Sequence, residues 1–156
     1  MHRILPSPTR IKVCGITREA DVEVAVRAGV DAIGLNFHEP SPRAVDAVRA
    51  ASLLREIPPF VASVGLFVNL PAARLEGLLE AVPLAMLQFH GDEDEAYCRR
   101  WARPYLKVLR MREDLDVEAA LGAWPSAAGV LLDAYRKGVP GGTGETFDWD
   151  RIPVRR

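Results

Sequence analysis

The chain has 156 residues, with 20 Lys and Arg against 21 Asp and Glu, and 49% of it is hydrophobic. That length suits one domain with its own core, and the charge balance excludes an electrostatic pull toward nucleic acid or an acidic membrane surface. The two cysteines, Cys14 and Cys98, have no disulfide-framework spacing, which fits a reducing compartment.

The first residues, MHRILPSPTR, lack the apolar core of a secretory signal. No apolar run approaches the roughly 20 residues needed to cross a bilayer. A soluble, cytoplasmic protein is expected. Three histidines and the two cysteines are scattered without ligand spacing, so no metal site is expected.

Along the chain, Ile11–Ile16 is short and β-branched and predicts a buried strand. Thr17 is placed to cap the helix that follows, which carries Val22, Ala25 and Val26 on one face and ends at Gly29. Ala32–Phe37 predicts a second strand, and the two prolines of Glu39–Arg43 enforce a loop. A helix from about Val45 to Ile57 leads to a third strand, Ala62–Val68. Asn69 and Pro71 open a helix in which Leu75, Leu78, Leu79 and Val82 recur at i, i+3, i+4 and i+7. Ala85–Phe89 predicts the fourth strand, ending at His90-Gly91. A charged helix over Glu93–Arg103 follows, where Arg99, Arg100 and Arg103 among Glu93, Asp94 and Glu95 read as a solvated face. Tyr105–Met111 predicts the fifth strand. The next helix has Val117, Ala120, Leu121 and Trp124 on one face, and Val130–Leu132 forms a sixth strand that closes on Asp133.

Strands alternating with helices predict a parallel sheet with right-handed crossovers. Both an open doubly wound sheet and a (β/α)8 barrel have this period. The first strand is followed by Cys14-Gly15-Ile16-Thr17 rather than a Gly-rich dinucleotide loop, which tips the reading toward a barrel. The glycine-rich run Gly138–Gly144 lacks the spacing of a nucleotide phosphate loop and by itself says only loop.

In parallel α/β folds the chemistry sits at the carboxyl ends of the strands. Cys14, Arg43, Gln88, His90, Arg110 and Asp133 all fall there. Each has a plain alternative. Cys14 reads as a small buried hydrophobe, or as a thiol opened to a ligand by the glycine after it and activated by the nearby helix end. Asp133 reads as a turn acid, or as a carboxyl that desolvation keeps protonated for acid catalysis. His90 reads as a backbone-bonded core histidine or a pocket residue, and Arg43 as a surface charge or a carboxylate or phosphate clamp. Cys98, inside a helix, reads as core.

Seven segments together resemble the phosphoribosylanthranilate isomerase family of tryptophan biosynthesis. Lys12-Val13-Cys14-Gly15-Ile16-Thr17 is similar to the family's opening K-[IV]-C-G-[IL]-[TK], Gly29–Gly34 to G-A-D-A-[IV]-G, and Ser41-Pro42-Arg43 to its S-[PK]-R loop. Val64–Asn69 resembles V-G-[VL]-F-V-N, and Leu87–Gly91 resembles [VL]-Q-[LF]-H-G. Leu131-Leu132-Asp133, then Gly141–Gly144 and Phe147-Asp148-Trp149, resemble L-L-D and G-G-[TS]-G-x-x-F-D-W. The family's aromatic residue after the loop arginine is replaced here by Ala44-Val45.

The resemblance implies an Amadori rearrangement of N-(5'-phosphoribosyl)anthranilate to 1-(o-carboxyphenylamino)-1-deoxyribulose 5-phosphate, without metal or organic cofactor. It implies Asp133 as general acid and Cys14 as general base, with Arg43, His90, Gln88 and Gly142 binding the phosphosugar anthranilate. It also implies a (β/α)8 barrel of the TIM type. Family members continue into a seventh and an eighth strand with phosphate-binding loops, whereas this sequence reaches Arg156 where the seventh would approach. The expectation is a single incomplete barrel domain over 1–156, truncated after the sixth strand. Its open sheet edges would be available for self-association. The alternative is an inactive barrel fragment that acts only by associating with another chain.

Overall fold

The computed structural model describes residues 9–134 and 146–153. One parallel six-stranded sheet runs in the order β1-β2-β3-β4-β5-β6, each strand pairing with the next in sequence. The strands are β1 Lys12–Cys14, β2 Ala32–Asn36, β3 Ala62–Phe67, β4 Met86–Phe89, β5 Tyr105–Met111 and β6 Gly129–Ala134. Between them lie α1 Glu19–Arg27, α2 Ala47–Arg55, α3 Ala72–Ala81, α4 Glu95–Arg99 and α5 Val117–Gly122, and a 3-10 turn spans Trp149–Arg151. Consecutive pairing without a reversal of strand order is barrel topology, not the doubly wound arrangement.

Alternation along the strands separates two faces. Ile33 and Leu35, Phe67, Leu87 and Phe89, and Tyr105 point outward, where they pack with Val22, Leu53, Leu75 and Cys98 of the helices into the main core. Phe37, Phe67, Phe89, Tyr97 and Trp101 form a chain of ring contacts through that layer. The opposite set, Lys12 and Cys14, Asn36, Leu66, Gln88 and Leu131, faces the concave side.

Several boundaries differ from those read in the sequence. β1 stops at Cys14 rather than Ile16, because Gly15 turns at φ 82° and the Gly15 and Ile16 amides both converge on the Gly34 carbonyl. Thr17 does not cap α1. The cap position is Arg18, whose side chain makes no capping bond, and the Thr17 carbonyl instead accepts from Arg49 Nε at 2.9 Å. The helix predicted over Glu93–Arg103 is only Glu95–Arg99, capped by Asp94, whose carboxylate accepts from the Tyr97 amide at 2.7 Å.

Glu93 is not on a solvated face. It is 8% exposed and bonds Lys107, itself 3% exposed, at 3.0 Å. Lys107 projects from the outer face of β5 and draws the carboxylate inward. Cys98, by contrast, is core, as its helical position predicted.

Candidate active site

The concave face and the loops at the carboxyl ends of the strands enclose a cavity of about 800 Å³. Cys14, Arg43, Gln88 and His90, four of the residues singled out from the sequence, line it. Asp133 joins through His90, whose Nε2 lies 3.0 Å from Asp133 Oδ2. Arg110 Nη2 donates to the His90 carbonyl at 2.8 Å. Gly142 lies outside the described residues.

Each side chain is held by local structure. Cys14 sits opposite Gly34 in the β1–β2 register. A Cβ on Gly34 would come 2.7 Å from Cys14 Sγ and 3.0 Å from Lys12 Nζ, so only glycine leaves room for both to cross it.

Arg43 is positioned by the loop after β2. Ser41 Oγ accepts from Asn36 Nδ2 at 3.0 Å and from the Arg43 amide at 3.2 Å, and Asn36 Oδ1 accepts from the His38 amide at 2.9 Å. This cross-bonded turn lays the guanidinium over Gly15, where Nη1 donates to the Cys14 carbonyl at 3.1 Å. A Cβ on Gly15 would meet Arg43 Cδ and Nη1 at 2.9 Å. At the position where the family has an aromatic, Ala44 bridges Asn36 and Val45 turns into the core.

His90 is set by its backbone. Its amide donates to the Phe67 carbonyl at 2.8 Å. The following loop is pinned from outside the sheet: Glu93 Oε2 accepts from the Gly91 amide at 2.9 Å and Glu93 Oε1 from the Asn69 amide at 2.6 Å. Lys107 Nζ closes this network on the Gly91 and Glu93 carbonyls, at 2.8 and 3.0 Å, and on the Glu93 carboxylate. Burial pushes the His90 imidazole below its ordinary value. The Asp133 carboxylate pulls it back up, and Arg110 adds to the depression. The imidazole is therefore neutral at neutral pH. A single proton serves the Nε2···Oδ2 contact: Nε2–H donates to ionised Asp133, or protonated Asp133 donates to Nε2.

Gln88 is 2% exposed and its Oε1 has no hydrogen-bond partner among the described residues. A buried, unpaired amide oxygen costs stability and is retained where something else satisfies it, here on the cavity face.

The sequence reading missed Lys12, Asn36 and His38 among the cavity residues. The signal was there in part: Lys12 is two before Cys14 on one strand and so shares its face. It also missed the Glu93–Lys107 staple, whose partners come from separate elements.

The arrangement defines a (β/α)-barrel protein whose polar groups gather over the carboxyl ends of parallel strands, around a space sized for a small molecule. The family model for N-(5'-phosphoribosyl)anthranilate (PRA) isomerase matches residues 11–156, and the chain belongs to that family. It is 54% identical over 143 residues to the N-(5'-phosphoribosyl)anthranilate isomerase of Cellvibrio japonicus (strain Ueda107), a match covering 92% of this chain and 66% of the relative. The chain thus spans about two thirds of that relative's length. The fold is similar to the crystal structure of phosphoribosyl anthranilate isomerase from Thermotoga maritima, with TM-score 0.81 and 33% identity, over 94% of this chain and 74% of that one. A second solved isomerase, in complex with reduced 1-(o-carboxyphenylamino)-1-deoxyribulose 5-phosphate, is similar with TM-score 0.75 and 33% identity over 82% of this chain and 66% of that one. Among the described residues no helix is long and apolar enough to cross a membrane.

Proposed function

We propose that this chain carries its family's Amadori rearrangement, converting N-(5'-phosphoribosyl)anthranilate to 1-(o-carboxyphenylamino)-1-deoxyribulose 5-phosphate in tryptophan biosynthesis. The reading rests chiefly on one relationship: the Cys14 thiol and the imidazole bonded to Asp133 line the same cavity.

The reaction needs a proton given and a proton taken. Asp133 is the general acid. Its proton goes to the furanose ring oxygen, the C1′–O bond breaks, and the nitrogen lone pair forms a protonated Schiff base. Cys14 is the general base. It removes the C2′ proton, whose bonding electrons move toward the iminium to give an enolamine, and tautomerisation yields the ketone. The iminium itself acidifies C2′–H, so the chemistry asks for neither metal nor organic cofactor. Each transfer is typically worth about 10²–10⁴-fold.

His90 orients the Asp133 carboxyl and lines the pocket. Arg43 at the rim suits the anthranilate carboxylate, Gln88 offers a buried acceptor, and Gly142, outside the described residues, is assigned to substrate binding by the family resemblance alone. A reducing cytoplasm would keep Cys14 free for this work.

β1 and β6 each pair on one side only among the described residues, and Val13 of β1 and Ile11 just before the strand are 38% and 51% exposed. A second chain, or a second copy, adding at these edges is the reading kept beside catalysis, and sedimentation of the purified chain tests it.

The direct test of catalysis is consumption of phosphoribosylanthranilate followed by fluorescence. Turnover by the wild type and its loss in both Cys14→Ser and Asp133→Asn, with unchanged circular dichroism, is the expected result. Wild-type rates in both variants would overturn the assigned roles.

A further inference from the structure

We infer that Lys12 binds the sugar oxygen attached to the carbon from which Cys14 draws its proton, and so determines specificity for a 2′-oxygenated sugar; the inference rests on the isomerase reading of this cavity. Lys12 and Cys14 alternate on β1, so both side chains project from the concave face, and both cross Gly34. Sulfur and ammonium nitrogen each lie within 3.0 Å of the same point above the Gly34 Cα. They are therefore spaced to meet two neighbouring atoms of one ligand, a C–H at the sulfur and the adjoining oxygen at the nitrogen.

Lys12 is partly buried as a residue, and among the described residues its ammonium has neither a carboxylate within ion-pair distance nor a hydrogen-bond acceptor. Lys107, the other described lysine in the body of the fold, fills its three donors with two carbonyls and a carboxylate. A partly desolvated ammonium without partners favours a ligand oxygen.

Position along the strand selects which oxygen. The Lys12 side chain rises from two residues before Cys14 and brings its ammonium to the level of Gly34, the register partner of Cys14, below the rim. The charged Arg43 occupies the rim itself, over Gly15. The anionic ends of the substrate extend away from the reacting carbon, so the group that comes down between Cys14 and Lys12 is the hydroxyl on C2′. Gln88 Oε1 adds an unused acceptor to the same cavity for a hydroxyl proton.

Calorimetric binding of two ligands tests this: reduced 1-(o-carboxyphenylamino)-1-deoxyribulose 5-phosphate, and the same molecule lacking the C2 oxygen. Wild type is expected to prefer the oxygenated ligand by roughly 10- to 100-fold, the range of a charge-assisted hydrogen bond. Lys12→Met should bind both ligands alike, at the wild-type affinity for the deoxy one. Lys12→Gln, which keeps a weaker donor, should retain part of the preference. Equal weakening of both ligands by Lys12→Met would place Lys12 on an anionic end and overturn the inference, as would an unchanged preference. Failure of the wild type to bind either ligand would instead remove the isomerase reading, and the inference with it.

Discussion

His90, at the end of β4, and Asp133, within β6, are hydrogen-bonded at 3.0 Å across the intervening strand β5. On β5 the register partner of Asp133 is Arg110, and the Arg110 guanidinium donates to the His90 carbonyl. Three strands thus fix one carboxyl–imidazole pair, and a carboxyl held this way has its proton-donating direction set by the protein rather than by solvent.

The electrostatics of that pair give a pH dependence. Burial depresses the His90 imidazole below its ordinary 6.5, so the folded chain binds this proton more weakly than the unfolded chain does. The stability tied to neutral His90 is fully present above pH 6.5 and is lost as pH falls from there through the depressed folded value. Unfolding free energy measured in urea from about pH 7 down to pH 5 should decline, and His90→Asn should flatten that decline.

The two cysteines should separate chemically. Cys14 lines the cavity, whereas Cys98 is fully buried and its thiol is pushed up to about 12 by desolvation. Alkylation of the native protein near pH 8 should label a single thiol, assigned to Cys14 by peptide mass, and Cys14→Ser should abolish it.

Glu93 and Lys107 should act as a unit. Truncating either alone leaves a buried charge, a loss of about 3–5 kcal/mol, so Lys107→Met should lower the urea midpoint sharply. Glu93→Gln with Lys107→Met together should cost less than the sum of the singles. Because Glu93 receives the Gly91 amide next to His90, the single variants should also lower turnover.

Two glycines should respond in opposite directions to alanine. At Gly34 the new methyl would strike Cys14 Sγ and Lys12 Nζ, so Gly34→Ala should reduce turnover through displaced site groups and cost about 1–3 kcal/mol from overpacking. At Gly77, inside α3, a Cβ meets nothing within 4 Å, and Gly77→Ala should stabilise by about 0.5–1 kcal/mol. Equilibrium unfolding of the two variants checks both signs.

The strands and the barrel order were legible because parallel strands covered by helices read as short apolar runs, and Gly29 and Asn69 punctuate them. Helix boundaries were less so. Thr17 looks like a cap in one dimension, but Gly34 and Arg49 claim the surrounding backbone groups, and neither is near it in sequence. The charged look of Glu93 hid its burial for the same reason: Lys107 is 14 residues away on the next strand. Among site residues, those closing a strand were found. Lys12 was passed over because only the carboxyl ends of the strands were searched for reactive groups, and the bare surface of Gly34 is what lets its side chain reach that level on the concave face.

The most direct measurement is the rate of Cys14 alkylation with and without reduced 1-(o-carboxyphenylamino)-1-deoxyribulose 5-phosphate. If one cavity holds the substrate between Cys14 and the His90–Asp133 pair, a saturating concentration of this ligand should protect the thiol, and His90→Asn should weaken the protection. Binding confirmed by calorimetry together with an unchanged alkylation rate would contradict the account.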